Sequence, residues 1–461
     1  MKLHRALAVL AMLVGACGSS LAYAQDKPQN SASRPNVLFI AIDDLNHWVG
    51  HLGRNKQTRT PNIDALAGKG VTFAHAYCAA PVCNPSRAAL LTGLRPATTG
   101  IYNNGNDWRT VVPPELTLVT TFRKAGYRVC GSGKIYHGAY DRDSEWDEIR
   151  HPRGGPRSSE PLEAGPIAPF GPVDAPESQW ADHQSVDYGI AQLEARHDRP
   201  LFLAIGLHKP HMPWNVPRKY YDMHPLESIE LPPFREDDLA DLPAEAIEMG
   251  RPKEHENVVK AGIWKEAIRA YLAAVSFCDA EVGRLIDALD RSPQRDRTIV
   301  VLWGDHGWHL GEKHHWRKFA LWEVATRTPL IWVVPGATKP GSRCERTVDF
   351  MSIYPTLCEL CGIETPRHVQ GTSIRPLLAD PQAAWDRPAL TTYGRGNHAV
   401  RSEGWRYIRY AEGGEELYDE AADPYEWTNL ANDPRHSSRK AELGGALPSE
   451  NKPEVRSKQR S

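Results

Sequence analysis

Apolar positions along the chain repeat in two rhythms. Val37 to Ile42, in RPNVLFIAIDDLN, is an unbroken apolar run ending on two aspartates, the pattern of a strand buried on both faces and feeding a loop. TRTPNIDALAGKGVTF then offers Thr60 as N-cap, Pro61 at the first helical position, apolar Ile63, Leu66 and Ala67, and Gly70 as a stop, which predicts a short helix. The alternation recurs with a helix near 116–125 and strand YRVCGSG, then a helix near 185–196 and strand LFLAIGL. A long amphipathic helix carries Ile268, Tyr271, Leu272, Val275, Val282, Leu285, Ile286 and Leu289 on one face, and strands TIVVLWG and PLIWVVPG follow. Such alternation predicts an α/β fold with a large, mostly parallel sheet sandwiched by helices.

Two stretches break the rhythm. Residues 141–182 are rich in Pro, Gly and charge, a functional border or a disordered loop. From about Pro388 the short alternating segments ALTTYG, HAVRSE, WRYIRY and EELYDE read as an antiparallel sheet. The expected organisation is a main domain over 34–385, a small C-terminal subdomain over 386–436, and a disordered polar tail over 437–461.

Composition narrows the function classes. The 461 residues are 41% hydrophobic and 24% charged with a formal net charge of −2, which provides no field for nucleic acid. Lys2, His4 and Arg5 precede an apolar run from Ala6 to Ala16, too short to span a bilayer but suited to a signal peptide over 1–24. Ala22-Tyr23-Ala24 fits a cleavage site, while Val14-Gly15-Ala16-Cys17 is similar to a lipoprotein box, so export to the periplasm or the exterior is expected, with lipid anchoring through Cys17 as the alternative. The cysteines Cys78, Cys83, Cys130, Cys278, Cys344, Cys358 and Cys361 are too few for a disulfide scaffold. Cys358 and Cys361 fall among apolar helix positions and read as core packing.

Chemistry-bearing residues cluster just past the carboxyl ends of predicted strands: Asp43 and Asp44, Lys134 and His137, His208 with Lys209 and His211, and Asp305 with His306. In open parallel sheets ligands bind at that edge, so the clusters should converge in one crevice. Three aspartates offer hard oxygen ligands for Ca²⁺ or Mg²⁺, and His306 leaves Mn²⁺ or Zn²⁺ open.

The remaining signal is PVCNPSRAALLTGLRP. Cys83-Asn84-Pro85-Ser86-Arg87, with Leu91-Thr92-Gly93 and Arg95-Pro96, resembles the Cys-x-Pro-Ser-Arg signature of the type I sulfatases, and DDLN, GKIYHG, HKPHMPW, DHGWHLGE and WRKFALWEVATRTPLI follow in family order. The combination is most similar to the iduronate-2-sulfatase branch. The resemblance implies an alkaline-phosphatase-like fold, oxidation of Cys83 to formylglycine by a formylglycine-generating or anaerobic maturating enzyme, and one divalent cation, with Ca²⁺ favoured, on Asp43, Asp44, Cys83, Asp305 and His306. It further implies that the hydrated aldehyde attacks sulfur with one hydroxyl and expels sulfate with the other. In this scheme Arg87 helps to lower the nucleophile's pKa and Lys134 and Lys318 bind sulfate oxygens. His137 supports the diol, and His211 protonates the departing sugar oxygen. The implied substrate is a sulfated saccharide such as 2-O-sulfated iduronate, rimmed by Trp108, Arg109, Trp214, Trp308 and His309, with His208 and Lys209 lining the sugar. A phosphate or phosphonate ester hydrolase of the same superfamily stays open, as does a non-catalytic glycan binder should Cys83 remain a thiol.

Overall fold

The computed structural model describes residues 34–138 and 140–457; the expected signal peptide and Cys17 lie outside the described residues. Eight strands form the main sheet: β1 (Asn36–Ile42), β2 (Val71–Tyr77), β3 (Arg128–Gly133), β4 (Glu148–Arg150), β5 (Leu201–Leu207), β6 (Thr298–Gly304), β7 (Leu330–Val333) and β8 (Ser342–Asp349). Their spatial order is β8-β2-β7-β6-β1-β5-β3-β4. The centre is parallel, with Ile42 level with Leu207 of β5 and with Gly304 of β6. Chain ends that carry Asp43, His208 and Asp305 are therefore brought side by side.

The apolar run of β1 has a simple cause. Leu38, Ile40 and Ile42 point into one core, shared with α1 (Pro61–Ala67), α3 (Ala181–Glu194) and α4 (Trp264–Arg291). Val37, Phe39 and Ala41 point into a second core on the other face, shared with α2 (Cys83–Thr92) and α5 (Ile353–Leu360). With both faces covered, every position of the strand must be apolar. Cys358 and Cys361 lie buried in the second core as free thiols.

The C-terminal subdomain is a four-stranded antiparallel sheet, β9 (Ala389–Thr392), β10 (His398–Arg401), β11 (Trp405–Arg409) and β12 (Glu415–Asp419), in sequential order, as the alternation predicts. A buried ion network joins it to the main domain: Glu323 receives Arg327 at 3.2 Å and Arg401 at 3.3 Å, and pairs with Arg406.

Some elements differ from expectation. β7 runs antiparallel to both of its neighbours, and β8 was not evident as a strand because its SRCERTVD sequence is polar, as suits the outermost strand of a sheet. Residues 141–182 contain β4 and the strands Leu162–Ala164 and Ile167–Val173, the last pairing with Asn215–Pro217. The expected disordered tail is instead ordered through Ser457. α6 (Ser437–Gly444) buries Leu443, which packs with Tyr407 and Leu417. Beyond it, the Lys452 and Val455 amides donate to the carbonyls of Ala97 and Gly100, both at 2.9 Å, and the Tyr102 hydroxyl donates to the Lys452 carbonyl at 2.8 Å. A polar segment is thus held largely by its backbone, with Val455 packed against the second core.

Candidate active site

Asp43 and Asp44 leave the end of β1, and the Asp43 amide donates to the Leu207 carbonyl at 3.1 Å. Asp44 takes the left-handed region, φ 60°, a conformation Asp tolerates better than most residues. It is held there by its amide, which donates to Asp305 Oδ1 at 3.0 Å, and by its carbonyl, which accepts the Tyr271 hydroxyl at 2.9 Å. That hydroxyl also accepts the Asn46 amide at 2.9 Å. Tyr271 was read only as a core position of the long helix; the signal for more was a hydroxyl on an otherwise apolar stripe, since a buried Tyr needs a partner.

Cys83 is the first residue of α2 and is fully buried. Its Sγ lies 2.9 Å from Lys318 Nζ and 3.3 Å from His306 Nε2. Burial and the Asp43 carboxylate push the thiol up, Lys134 and Lys318 pull it down, and the cations prevail, so it titrates below the ordinary thiol value.

Arg87 sits one helical turn further on and has no solvent access. Its Nε donates to Asp305 Oδ2 at 2.8 Å and its Nη1 to the Ile135 carbonyl at 3.1 Å, with Asp43 Oδ1 at 3.4 Å from Nη2. Lys134 pairs with the other Asp43 oxygen. Lys318 Nζ donates to Asp44 Oδ1 at 2.7 Å. Burial opposes charge on Asp43, but Lys134, His211, Arg87 and Lys318 together hold its carboxyl well below the usual range. Asp44 goes the other way: burial, with Asp43 and Cys83 nearby, raises it to about 7 despite Lys318.

His306 donates from Nδ1 to the Gly307 carbonyl at 3.0 Å, which turns Nε2 toward Asp44 Oδ1 at 3.4 Å, Asp305 Oδ1 at 3.5 Å and the Cys83 sulfur. Burial disfavours its charged form, yet Asp305 prevails and the ring is raised to about 9. Ligand atoms of Asp43, Asp44, Cys83 and His306 all lie within 4.8 Å of one another, with the Asp305 carboxylate alongside. Asp44 Oδ2 is buried there with no hydrogen-bond partner among the described residues. An orphaned carboxylate oxygen, a carboxyl raised by burial and by its anionic neighbours, and an imidazole that attracts a proton all mark a place short of positive charge. This donor set fits a divalent cation.

His211 faces the same crevice. Its Nδ1 donates to the Met212 carbonyl at 2.5 Å, leaving Nε2 at 4.0 Å from Asp43 and 3.9 Å from Asp44. Burial, with Lys134 and Lys318 adding to it against Asp43, keeps the ring neutral well below the ordinary histidine value. His137 has a buried Nδ1 with no hydrogen-bond partner among the described residues, and burial and nearby Lys134 lower its pKa to about 3.

The expected residues thus meet in one crevice, but the expected aromatic rim does not form. Trp108, Trp214, Trp308 and His309 are buried, and Arg109 is spent on Glu145 and on the Trp108 ring, 3.9 Å from its centroid. The Trp108–Arg109 pair is a packed core feature, not a sugar platform. Asn84 and Asn106 were not singled out: Asn84 Nδ2 donates to the Asn106 carbonyl at 2.8 Å, and Asn106 Nδ2 donates to the Val455 carbonyl at 2.6 Å, linking the Cys83 turn to the C-terminal segment.

Comparison with known proteins agrees with this geometry. Residues 35–363 match the family described as Sulfatase, and residues 311–452 match N-sulphoglucosamine sulphohydrolase, C-terminal. A Formosa agariphila protein named Sulfatase is 39% identical over 95% of this chain and 92% of its own length. Homo sapiens iduronate 2-sulfatase is 33% identical over 72% of this chain and 70% of its own. The solved phosphonate monoester hydrolase of Silicibacter pomeroyi shares the fold, with TM-score 0.75 at 24% identity over 89% of this chain and 94% of that one. The chain belongs to the sulfatase family, and the protein is a sulfuric ester hydrolase.

Proposed function

We propose that the protein removes sulfate from a sulfated saccharide, with 2-O-sulfated iduronate or a related uronate unit as the substrate class, through a formylglycine formed from Cys83. The observation that carries this reading is the convergence on Cys83 Sγ of Lys318 Nζ at 2.9 Å and His306 Nε2 at 3.3 Å, at the head of a helix and beside two aspartates. A hydrated formylglycine supplies two hydroxyls on one carbon, one to take the sulfuryl group and one to expel it. Asp43, Asp44, Asp305, His306 and position 83 would hold one cation, and the oxygen-rich set suits Ca²⁺, which supplies charge that favours an ionised hydroxyl.

The chain's own side chains do the rest. Lys134 and Lys318 bind sulfate oxygens with fixed positive charge. Arg87, locked on Asp305, keeps that carboxylate oriented and adds charge behind the nucleophile. The N–H groups at the start of α2 favour an anion at position 83. His137 supports that position from the Lys134 side. His211 Nε2 gives a proton to the departing sugar oxygen; the negative charge of bound sulfate favours the protonated ring that burial, Lys134 and Lys318 disfavour. The segment 1–24 directs export to the periplasm or the exterior, with lipid attachment at Cys17 as the alternative end, and a maturating enzyme oxidises Cys83.

The test is mass spectrometry of the Cys83 peptide together with sulfate release from defined sulfated oligosaccharides. An aldehyde at Cys83 with saccharide desulfation supports the reading. An unmodified thiol, or turnover of phosphonate esters alone, overturns it.

A further inference from the structure

A cavity of about 200 Å³ opens beside His211, walled by Trp180 and the 208–213 turn and capped by Gly154–Arg157. It is below the ~300–1,000 Å³ of sites for drug-sized ligands, so it takes about one ring. His211 lines this cavity while its Nε2 stands 4.0 Å from Asp43 and 3.9 Å from Asp44, so an ester oxygen protonated by His211 would direct its alcohol portion into the cavity.

Its charges are lopsided. The Asp182 carboxylate is already engaged by the amides of His208 at 2.7 Å and Lys209 at 2.8 Å, with His208 Nδ1 at 3.4 Å. Lys209 Nζ turns inward, donating to the Pro213 carbonyl at 2.5 Å and the His211 carbonyl at 3.3 Å. Arg157 is exposed, and among the described residues it has no hydrogen bond or ion pair. The backbone around it is nonetheless fixed. The Gly154 carbonyl accepts the Ala181 amide at 3.1 Å, and the Ser158 amide donates to Asn215 Oδ1 at 3.3 Å. Between them Gly155 lies so close to the Trp180 ring that a Cβ there would meet it at 3.0 Å. A guanidinium with no partner is thus carried on a pinned loop over a cavity whose only lining carboxylate is spent.

We infer that Arg157 is a specificity-determining residue, which selects sugar sulfates carrying a second anionic substituent, a carboxylate or another sulfate, on the ring held beside His211. This rests on the sulfatase reading above and goes further by assigning the anion's partner, since a planar guanidinium suits either anion by paired hydrogen bonds.

The experiment uses the mature, full-length enzyme and three substrates: a sulfated uronate oligosaccharide, the same compound after carboxyl reduction, and nitrophenyl sulfate. A second sulfate on the reduced compound distinguishes the two anions. Arg157→Ala should raise KM for the anionic sugar about tenfold or more, the scale of one charge-assisted hydrogen bond at a partly wet site. It should leave kcat, the reduced sugar and the aryl ester unchanged, and Arg157→Lys should restore part of the loss. Arg157 is exposed, so the melting temperature should not move. Equal effects on charged and reduced sugars, or none on the charged one, overturn the assignment while leaving desulfation intact. A wild-type enzyme that desulfates no saccharide takes the parent reading down, and this inference with it.

Discussion

Arg87 Nε stands 2.8 Å from Asp305 Oδ2, and neither side chain is more than 1% exposed. An ion pair so buried is expensive to desolvate, yet breaking it by removing one partner costs more still, because the other charge is left stranded. Asp305→Asn should therefore lower stability by about 3–5 kcal/mol and abolish turnover. Chemical denaturation of the variant beside the parent measures the first, and a loss under 1 kcal/mol would mean that Asp43 alone neutralises Arg87.

Chelation should act on the same site from another side. Asp44 Oδ2 has no hydrogen-bond partner among the described residues, so added Ca²⁺ should raise the melting temperature and EDTA should lower it, by the linkage of binding to folding. Elemental analysis is expected to give one divalent ion per chain. Two zinc ions would transfer the protein to phosphoesterase chemistry.

Cys83→Ala should abolish desulfation with the fold intact, since position 83 heads a helix and its loss leaves only a small void. Cys83→Ser should accumulate a sulfated enzyme: a single hydroxyl can accept the sulfuryl group but cannot form a carbonyl to expel it. Intact mass after substrate addition reads this directly, and sustained multiple turnover by the serine form would rule out the diol.

His211→Ala should hurt sugar sulfates more than nitrophenyl sulfate by ~10²-fold or more, the range of general-acid catalysis. A nitrophenolate leaves without help; a sugar alkoxide does not. Lys134 and Lys318 variants should slow both esters alike, because each presents the same sulfuryl group. A leaving-group slope that steepens in a lysine variant would move the acid there.

The domain junction predicts an acid limb of stability. Burial opposes charge on Glu323, but Arg401, Arg406 and Arg327 hold its carboxyl well below the ordinary value. A depressed folded-state pKa gives stability that is full above the unfolded value, ~4.3, and is lost as pH falls through the folded one. Glu323→Gln should therefore be much less stable than the parent at pH 7, and the gap should narrow progressively below about pH 4. A gap that stays constant down to pH 3 would assign the loss to packing.

What could be read in advance follows from where each signal lives. Asp43, Lys134, His208 and Asp305 each follow directly on a buried strand, and a parallel sheet places such positions on one edge whatever the details. The direction of β7 was not legible, because a buried strand of four residues looks the same run either way. β8 escaped because an edge strand need not be apolar. Trp108 and Arg109 looked like a sugar site because the sequence does not reveal that Glu145, 36 residues on, takes the guanidinium. The 452–457 segment has little apolar content, and its partners, the Ala97 and Gly100 carbonyls and the Tyr102 and Asn106 side chains, lie some 350 residues earlier.

The enclosure of Cys83 also sets an order of events. Lys318, which closes over the sulfur, is encoded 235 residues after it. At ~5–20 residues per second of synthesis, the ribosome delivers that lysine roughly 10 to 50 s later. During that interval the Cys83 turn lacks the lysine that encloses it, and the maturating enzyme proposed above would meet a thiol that the finished protein buries. On the proposed formylglycine reading, the oxidation of Cys83 is a matter of timing, set while the chain is still being made.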